Sequence, residues 1–286
     1  MTDIYGVMGN PVEHSLSPPM HAAAYESTGV EATYLRFLVE EGDVKEAVRG
    51  AGALNIDGLN VTVPHKGTVA ALPSVELDEN AERIGAVNTL DFGVGEDEEA
   101  SEGDDSTVAR GYNTDASGAL RALERKTEVA GKKAVLVGAG GAARAIAFAL
   151  AGEGAAVEIV NRTVERAEKL ADEVREAVGT SDVSAHPLDT LDDVVPDADI
   201  VVNATTVGME EDVSPVPADA LRPHHIVFDA VYTPLDTRLL RDAAEVGATT
   251  VDGAWMLVYQ GAEAFEIWTG RTAPVEKMNA ALREGL

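Results

Sequence analysis

The sequence predicts an α/β protein of two lobes, a mixed N-terminal lobe and a C-terminal lobe with a doubly wound parallel sheet. Two observations support this. Short apolar runs alternate with amphipathic segments along the chain, and the run at 133–137 ends in a glycine-rich loop. A chain of 286 residues is long enough for two domains with separate cores. We expect one domain to comprise residues 1–115 plus 254–286 and the other residues 116–253.

In the first lobe, apolar runs bounded by polar or turn residues predict strands, and apolar residues at helical spacing predict helices. The predicted strands are 4–8, 34–39, 58–63, 87–92 and 108–112, and the predicted helices are 20–27, 43–49 and 77–84. A helix at 115–126 begins the second lobe.

In the second lobe the alternation is clearer, because each short apolar strand is followed by a turn or a longer amphipathic run. The predicted strands are 133–137, 157–160, 200–202, 226–228 and 249–251. Helices are predicted at 144–151, at 164–178 with Thr163 as N-cap, at 255–268, and at 275–283 behind Pro274.

The charge balance excludes several classes of partner. The chain has 22 Lys and Arg against 50 Asp and Glu, a net charge of −28, so it lacks the basic footprint that nucleic acid and anionic membranes require. A dense acidic run at 96–105 is expected to be a solvated hairpin tip. Such acidity favours a protein made for high ionic strength, as in halophiles, with an ordinary acidic protein as the alternative.

Location and metal chemistry are constrained by what the sequence lacks. The first residues show no secretory signal and no apolar run reaches about 18 residues, so we expect a cytoplasmic protein. The chain has no Cys, which removes disulfides and thiolate chemistry, and its six His show no metal-ligand spacing. We therefore expect no metal.

A dinucleotide site is predicted at the glycine-rich loop, where Gly138-x-Gly140-x-x-Ala143 lies between a predicted strand and a helix. Gly138 permits the tight turn, and Gly140 lets the backbone approach a pyrophosphate at the helix N-terminus. We expect residues 138–142 (Gly138, Ala139, Gly140, Gly141 and Ala142) to contact the cofactor of a Rossmann-type domain. The alternative is a purely structural turn.

The end of the next strand favours NADP(H) over NAD(H). An NAD enzyme usually has an acid there, but this chain has Asn161-Arg162-Thr163, with Arg166 after it. Two guanidiniums four residues apart are expected to share one helix face and to clamp a 2′-phosphate. The alternative is that both pair with nearby acids such as Glu165 and Glu168.

Polar groups also follow the predicted strands of the first lobe, in the segments 9–18, 60–66, 85–89 and 111–115. Hydroxyls, amides, one Lys and one Asp suit a polyol carboxylate better than a phosphate. These segments, with the loop at 138–143 and Asn161-Arg162-Thr163, resemble the shikimate dehydrogenases. The segments 203–209, 229–232 and 252–260 resemble the same family, so the resemblance runs from about Gly6 to Gly270 and comprises about eight motifs in the family's order.

The resemblance implies reversible NADPH-dependent reduction of 3-dehydroshikimate to shikimate, in the shikimate pathway of aromatic amino-acid biosynthesis. Lys66 is implied as the proton donor or acceptor and Asp115 as its partner. The substrate would contact Ser15 and Ser17 through its carboxylate, and Asn60, Thr62, Asn88, Asp115, Tyr232 and Gln260 through its ring and hydroxyls. Besides the glycine loop, the cofactor would contact Glu79, Asn161, Arg162, Thr163, Arg166, Thr205, Ala230, Gly253 and Met256.

Alternatives remain open at this level. Lys66 could be an ordinary surface lysine and Asp115 a helix N-cap. Trp255 and Tyr259 could shape the nicotinamide end or pack between the lobes. The enzyme could be a quinate/shikimate dehydrogenase of broader specificity. A non-catalytic NADP-sensing module would have lost Lys66 or Asp115, and polar strand ends argue against a purely structural protein. Both a monomer and a homodimer are compatible with the sequence.

Overall fold

The computed structural model describes residues 2–93 and 107–286. The hairpin predicted at 96–105 lies outside the described residues. The chain divides into two compact units, the first comprising Met1–Thr114 and Gln260–Gly285 and the second Asp115–Tyr259 with Leu286. The chain passes from one unit to the other near Thr114 and near Tyr259.

In the part of the chain that the structure describes, the first unit has a mixed sheet of six strands. They are β1 (Asp3–Gly9), β2 (Ala32–Leu38), β3 (Gly58–Val61), β4 (Val75–Leu77), β5 (Thr89–Asp91) and β6 (Ala109–Tyr112). The spatial order is β2-β1-β3-β5-β6-β4. β5 runs antiparallel to both β3 and β6, whereas β1 pairs in parallel with β2 and β3.

The second unit contains a sheet whose six described strands are all parallel. They are β7 (Lys133–Val137), β8 (Ala156–Asn161), β9 (Val183–Pro187), β10 (Ile200–Asn203), β11 (Ile226–Asp229) and β12 (Thr249–Val251). Their order, β12-β11-β10-β7-β8-β9, is that of a doubly wound dinucleotide-binding domain, with β7 beside the point where the winding reverses. The predicted fold class is confirmed.

Helices connect these strands. They are α1 (Ser17–Thr28), α2 (Val44–Ala53), α3 (Lys66–Ala70), α4 (Glu79–Ile84), α5 (Thr114–Glu124), α6 (Gly141–Gly152), α7 (Val164–Val178), α8 (Leu191–Val194), α9 (Arg238–Glu245), α10 (Gly253–Thr269) and α11 (Val275–Glu284). Within residues 2–93 and 107–286, no helix is both long enough and apolar enough to cross a membrane.

The predicted helix at 77–84 starts too early. Val75–Leu77 is a strand, and α4 begins only at Glu79, because the Asp78 side chain accepts a hydrogen bond from the amide of Ala81 at 2.8 Å and caps the helix. The sequence reading also missed α3, α8, α9 and β9. The first two are too short to show a period, and β9 is an edge strand with only one fully buried residue.

An aromatic cluster of Tyr5, His21, Tyr25, Tyr34 and Trp268 lies in the first unit. The His21 ring stacks on Tyr34 with centroids 4.3 Å apart and has no exposed surface. Neither ring nitrogen of His21 has a hydrogen-bond partner within the described residues. Burial lowers the pKa of His21 to about 3.

This burial predicts a loss of stability in mild acid. The unfolded chain titrates His21 near 6.5, so between about pH 6.5 and pH 3 it binds more protons than the folded chain does. The free energy of unfolding should therefore decrease as the pH is lowered through this window. The decrease should be about 1.4 kcal/mol per pH unit well below pH 6.5. Denaturant unfolding at pH 7, 6 and 5 measures it. His225, whose pKa burial lowers to about 4, adds to the same trend.

The variant His21→Leu should show a shallower decline, because it removes one titrating group from the core. The exposed His14 provides the control, and His14→Gln should keep the wild-type decline. Equal pH dependence in His21→Leu and wild type would contradict the prediction.

Candidate active site

The loop that joins β1 to α1 carries Ser15, and Ser17 is the first residue of α1. The Ser15 hydroxyl accepts a hydrogen bond from the amide of Ser17 at 3.3 Å, and the Ser15 amide donates to the carbonyl of Val12 at 3.1 Å. The two serines are thus held side by side. Ser15 is half-buried and Ser17 is buried.

A buried network of amides and hydroxyls lies at the ends of β3, β5 and β6. The Asn88 side chain accepts from the amide of Thr114 at 2.7 Å, and it donates to the Thr114 hydroxyl at 3.0 Å and to Gln260 Oε1 at 3.4 Å. Asn60 donates to the Thr89 hydroxyl at 3.0 Å and to the carbonyl of Asn88 at 3.3 Å. These contacts bring the predicted substrate residues Asn60, Asn88 and Gln260 together.

Asn60 has little hydrogen-bonding capacity left for a ligand. Its two amide protons are directed to Asn88 and Thr89, and its carbonyl oxygen accepts from the Tyr34 hydroxyl at 2.6 Å. The side chain is buried as well. Its direct contact with substrate stays a prediction, whereas its support of Asn88 and Thr89 is a feature of the structure.

Lys66 lies at the start of α3 and is half-buried. Its carbonyl accepts from the amide of Val87 at 3.0 Å, which holds the start of α3 against the residue before Asn88. Thr62 is held nearby through its amide, which donates to the carbonyl of Met8 at 2.9 Å. A Cβ on Gly9 would lie 2.2 Å from Thr62 Cγ2, so glycine is needed there for close approach.

Asp115 is the second residue of α5 and is buried. α5 begins at Thr114, so Asp115 lies inside the first turn and not at the N-cap position considered from the sequence. The amide of Thr114 donates to Asn88, and this fixes the start of the helix.

In the second unit, the glycine loop has the shape that a dinucleotide requires. Gly138 has φ +122°, and a Cβ there would lie 3.0 Å from the carbonyl oxygen of Ala204. A Cβ on Gly140 or Gly141 would meet nothing within 4 Å, so the loop is open on that side. The first turn of α6 has no acid and no side-chain cap, and its amides are available to phosphate oxygens. The residues present therefore fit a bound dinucleotide.

The segment after β8 is exposed and basic. Among the described residues, neither Arg162 nor Arg166 forms an ion pair, so the alternative pairing with Glu165 and Glu168 is absent there. The expectation that both guanidiniums share one helix face is wrong, because Arg162 precedes α7, which begins at Val164. Thr163 is at the N-cap position but makes no side-chain capping bond.

Asn203 and Asp229, at the ends of β10 and β11, support the loops that follow them. The side-chain oxygen of Asn203 accepts from the Thr205 hydroxyl at 2.7 Å, and its side-chain amide donates to Asp229 Oδ1 at 2.9 Å. Burial raises the pKa of Asp229, against the effect of hydrogen bonds from Thr237, Val231 and Asn203. Thr205 is thereby fixed directly beside Gly138.

The remaining cofactor candidates of this unit lie around the start of α10. The amide of Ala230 donates to the carbonyl of Asn203 at 2.8 Å. A Cβ on Gly253 would lie 2.5 Å from the carbonyl oxygen of Ala230, so only glycine fits. Met256 is buried in the first turn of α10.

Two of the predicted substrate residues, Asp115 and Tyr232, belong to the second unit. The others belong to the first, namely Ser15, Ser17, Asn60, Thr62, Asn88 and Gln260. Burial raises the pKa of Tyr232. Glu79 is exposed at the start of α4 in the first unit, where a carboxylate suits the helix N-terminus.

Trp255 and Tyr259 form an arginine-aromatic cluster within the second unit. The Arg125 guanidinium lies 3.5 Å from the Trp255 ring centroid, and that of Arg121 lies 4.5 Å from the Tyr259 centroid. Arg125 also donates to the Tyr259 hydroxyl at 3.0 Å. These contacts fasten α5 to α10 and account for both bulky side chains.

Sequence reasoning missed Tyr34, Thr89 and Thr114 as members of the first unit's network. Thr89 and Thr114 lie directly beside predicted residues, and adjacency to Asn88 and Asp115 was the available signal. Tyr34 lies on a strand without a motif, so no sequence signal marked it. In the described part of the chain, no group of three or more His, Asp or Glu is arranged to hold a metal ion.

Comparison with known proteins gives concordant results. Residues 7–90 match the shikimate dehydrogenase substrate binding domain, residues 121–213 match shikimate/quinate 5-dehydrogenase, and residues 253–283 match the shikimate 5′-dehydrogenase C-terminal domain. The chain is 55% identical over 284 residues to the shikimate dehydrogenase (NADP(+)) of Haloarcula marismortui, covering 99% of this chain and 100% of the relative.

Solved structures agree with this. A crystal structure of shikimate dehydrogenase in complex with NADP⁺ superposes with a TM-score of 0.88 at 42% identity, over 99% of this chain and 95% of that one. Shikimate 5-dehydrogenase from Thermus thermophilus, in complex with NADP(H) and shikimate, has a TM-score of 0.86 at 37% identity, over 99% and 100% of the two chains.

The fold, the glycine loop and these matches define an NADP-dependent oxidoreductase that acts on a CH–OH group. The chain belongs to the shikimate dehydrogenase family.

The two ends of the glycine loop should respond differently to substitution. Gly138→Ala should lower the free energy of unfolding by about 1–3 kcal/mol, because its φ of +122° strains an L-residue and its Cβ would crowd Ala204. Gly140→Ala should change stability by less than about 0.5 kcal/mol, because its Cβ meets nothing. It should nevertheless weaken NADP⁺ binding. Thermal unfolding and calorimetric titration with NADP⁺ measure both effects.

The pair serves as its own control, since each variant adds the same methyl group. Unchanged NADP⁺ affinity in Gly140→Ala would contradict the assignment of this loop to the pyrophosphate.

Proposed function

We propose that the protein catalyses the reversible NADPH-dependent reduction of 3-dehydroshikimate to shikimate, with Lys66 as proton donor and acceptor. The observation that carries the proposal is one cluster of contacts in the first unit. The backbone amide of Val87 donates to the backbone carbonyl of Lys66. The side chain of the neighbouring Asn88 donates to the Thr114 hydroxyl and to Gln260 Oε1. These bonds hold the backbone of Lys66 beside buried amides and hydroxyls, and Asp115 follows Thr114 directly.

When bound, NADPH supplies the hydride that attacks the carbonyl carbon of the substrate. The chain's part is to polarise the carbonyl oxygen and to provide a proton as negative charge develops on it. The Lys66 ammonium is suited to both tasks, because it donates a hydrogen bond to the oxygen and then transfers the proton. In the reverse direction, the neutral amine takes the proton from the shikimate hydroxyl.

Asp115 is the proposed partner of Lys66. The carboxylate of Asp115 would accept a hydrogen bond from the Lys66 ammonium and limit its orientations. The first turn of α5 holds Asp115 rigidly, because the Thr114 amide is bonded to Asn88 at 2.7 Å. Substrate hydroxyls would find donors and acceptors in Thr62, Asn88, Gln260 and Tyr232. Ser15 and Ser17 would donate to the substrate carboxylate.

The second unit holds the cofactor in this proposal. The amides at the start of α6 would bind the pyrophosphate, and Arg162 with Arg166 would bind the 2′-phosphate. Asn161, Thr163, Thr205, Ala230, Gly253 and Met256 would line the rest of the site. The exposed guanidiniums lack carboxylate partners among the described residues, which leaves their charge available for a dianion.

A second candidate is a dehydrogenase that also accepts quinate. The family matched by residues 121–213 includes both shikimate and quinate dehydrogenases. One additional hydroxyl on a substrate is only weakly rejected by many sites. Assay of both polyols separates the two candidates.

Lys66→Ala should reduce kcat by about 10²–10⁴-fold, the usual contribution of a positioned acid or base. The measurement is NADPH formation from shikimate and NADP⁺, in buffer with molar KCl and without it, and with quinate and NAD⁺ run in parallel. Lys126→Ala is the control, since Lys126 is exposed outside the site. Activity confined to molar KCl would support the expectation of a protein made for high salt.

A folded wild-type protein that binds NADP⁺ but oxidises neither polyol would overturn the proposed reaction and favour a sensing module. Full activity in Lys66→Ala would contradict the role of Lys66 but would leave the proposed reaction standing.

Arg166→Ala should raise KM for NADP⁺ by about tenfold, the size of one lost charge-assisted contact, and leave KM for NAD⁺ within about twofold. Steady-state kinetics with each cofactor measures the ratio. The neighbouring exposed Glu165 offers a control, and Glu165→Ala should not raise KM for NADP⁺. Equal changes for both cofactors would contradict recognition of the 2′-phosphate by Arg166.

A further inference from the structure

An arginine on strand β2 holds the loop that carries the two serines. Arg36 donates through Nε and Nη2 to the carbonyl oxygen of Ser15, at 3.2 and 2.6 Å. β2 is an edge strand of its sheet, and alternation places Arg36 on the same face as Tyr34. Arg36 lies outside the motifs that carry the resemblance to the family.

The contact between Arg36 and the Ser15 carbonyl fixes the loop on both sides of Ser15. The Ser15 hydroxyl accepts from the amide of Ser17, and the Ser15 amide donates to Val12. The Ser15 hydroxyl accepts the bond from Ser17 with one lone pair, and its proton stays available to donate to a ligand. Displacing the Ser15 carbonyl would therefore disturb both serines together.

Among the described residues, no acid neutralises the charge of Arg36. No carboxylate of the described residues lies within ion-pair distance of its guanidinium, although the chain has 50 acidic residues. Glu40, which follows β2, instead accepts from the side chain of Asn10 at 2.9 Å. The guanidinium charge also acts on the buried Tyr34. Burial raises the pKa of Tyr34, and the positive charge of Arg36 opposes that rise.

We propose that Arg36 is a positioning and charge-selecting residue of the carboxylate subsite, which holds Ser15 and Ser17 in place and favours an anionic substrate over its uncharged analogue. This inference rests on the proposed function, in which the two serines bind the substrate carboxylate. A chain of net charge −28 repels an anionic ligand, so a cation beside the serines that no described carboxylate pairs offsets that repulsion where the carboxylate binds.

The test compares shikimate with its methyl ester, which lacks the negative charge, in wild type, Arg36→Gln and Arg36→Lys. Arg36→Gln should raise KM for shikimate by about tenfold and leave kcat within about twofold. KM for the ester should rise by a smaller factor than KM for shikimate, because the ester loses the support of the two serines but gains nothing from the charge. Arg36→Lys should recover part of the shikimate affinity, since it restores the charge but not the two-donor fork.

Arg271→Gln is the matched control. Arg271 is exposed in the same unit, donates to a backbone carbonyl, that of Thr28, at 2.7 Å, and carries the same charge. Its KM values should equal those of wild type. If Arg36→Gln behaves like this control, or raises KM equally for acid and ester, the inference is overturned. An inactive wild-type enzyme would instead overturn the proposed function, so the two failures are distinguishable.

Discussion

The buried side chain of Asn88 is the contact on which the first unit's site depends. It accepts from the amide of Thr114 at 2.7 Å and also bonds the Thr114 hydroxyl and Gln260, so one side-chain amide joins the start of β5, the start of α5 and the middle of α10. An unpaired amide in that position would carry a large desolvation cost, and the geometry is therefore closely determined. Because the amide of Val87 donates to the carbonyl of Lys66, the position of the start of α3 is fixed as well.

The second unit follows a different principle. Its parallel strands are apolar and largely buried, and polar residues occur where they end, at Asn161, Asn203 and Asp229. Backbone shape governs the glycine loop, since Gly138 adopts a φ unsuited to other residues and Gly253 lies too close to Ala230 for any side chain. Small residues here leave room for a ligand, whereas large polar networks in the first unit leave little freedom to move.

The strong negative charge gives the few cations special weight. Arg121 and Arg125 lie against aromatic rings, and Arg36 contacts a carbonyl; none of the three forms an ion pair with a described carboxylate. Contacts of this kind depend less on salt than exposed ion pairs do, because they combine dispersion and hydrogen bonding with charge. Arg162 and Arg166 have no ion-pair partner among the described residues, which distinguishes the segment after β8 from an ordinary solvated helix start.

The sequence by itself determined the fold class and the glycine loop, because strand periodicity and turn glycines are local properties, and its motifs in their order carried the resemblance to the family. It misplaced the start of α4 and the relation of Arg162 to α7, since caps and helix ends depend on single hydrogen bonds. Only the tertiary structure decided that the side chain of Asn60 is hydrogen-bonded to Tyr34, Asn88 and Thr89. The same is true of the hydrogen bonds from Arg36 to the Ser15 carbonyl. Those partners lie on different strands and loops, and their proximity arises from sheet register, which no local pattern encodes.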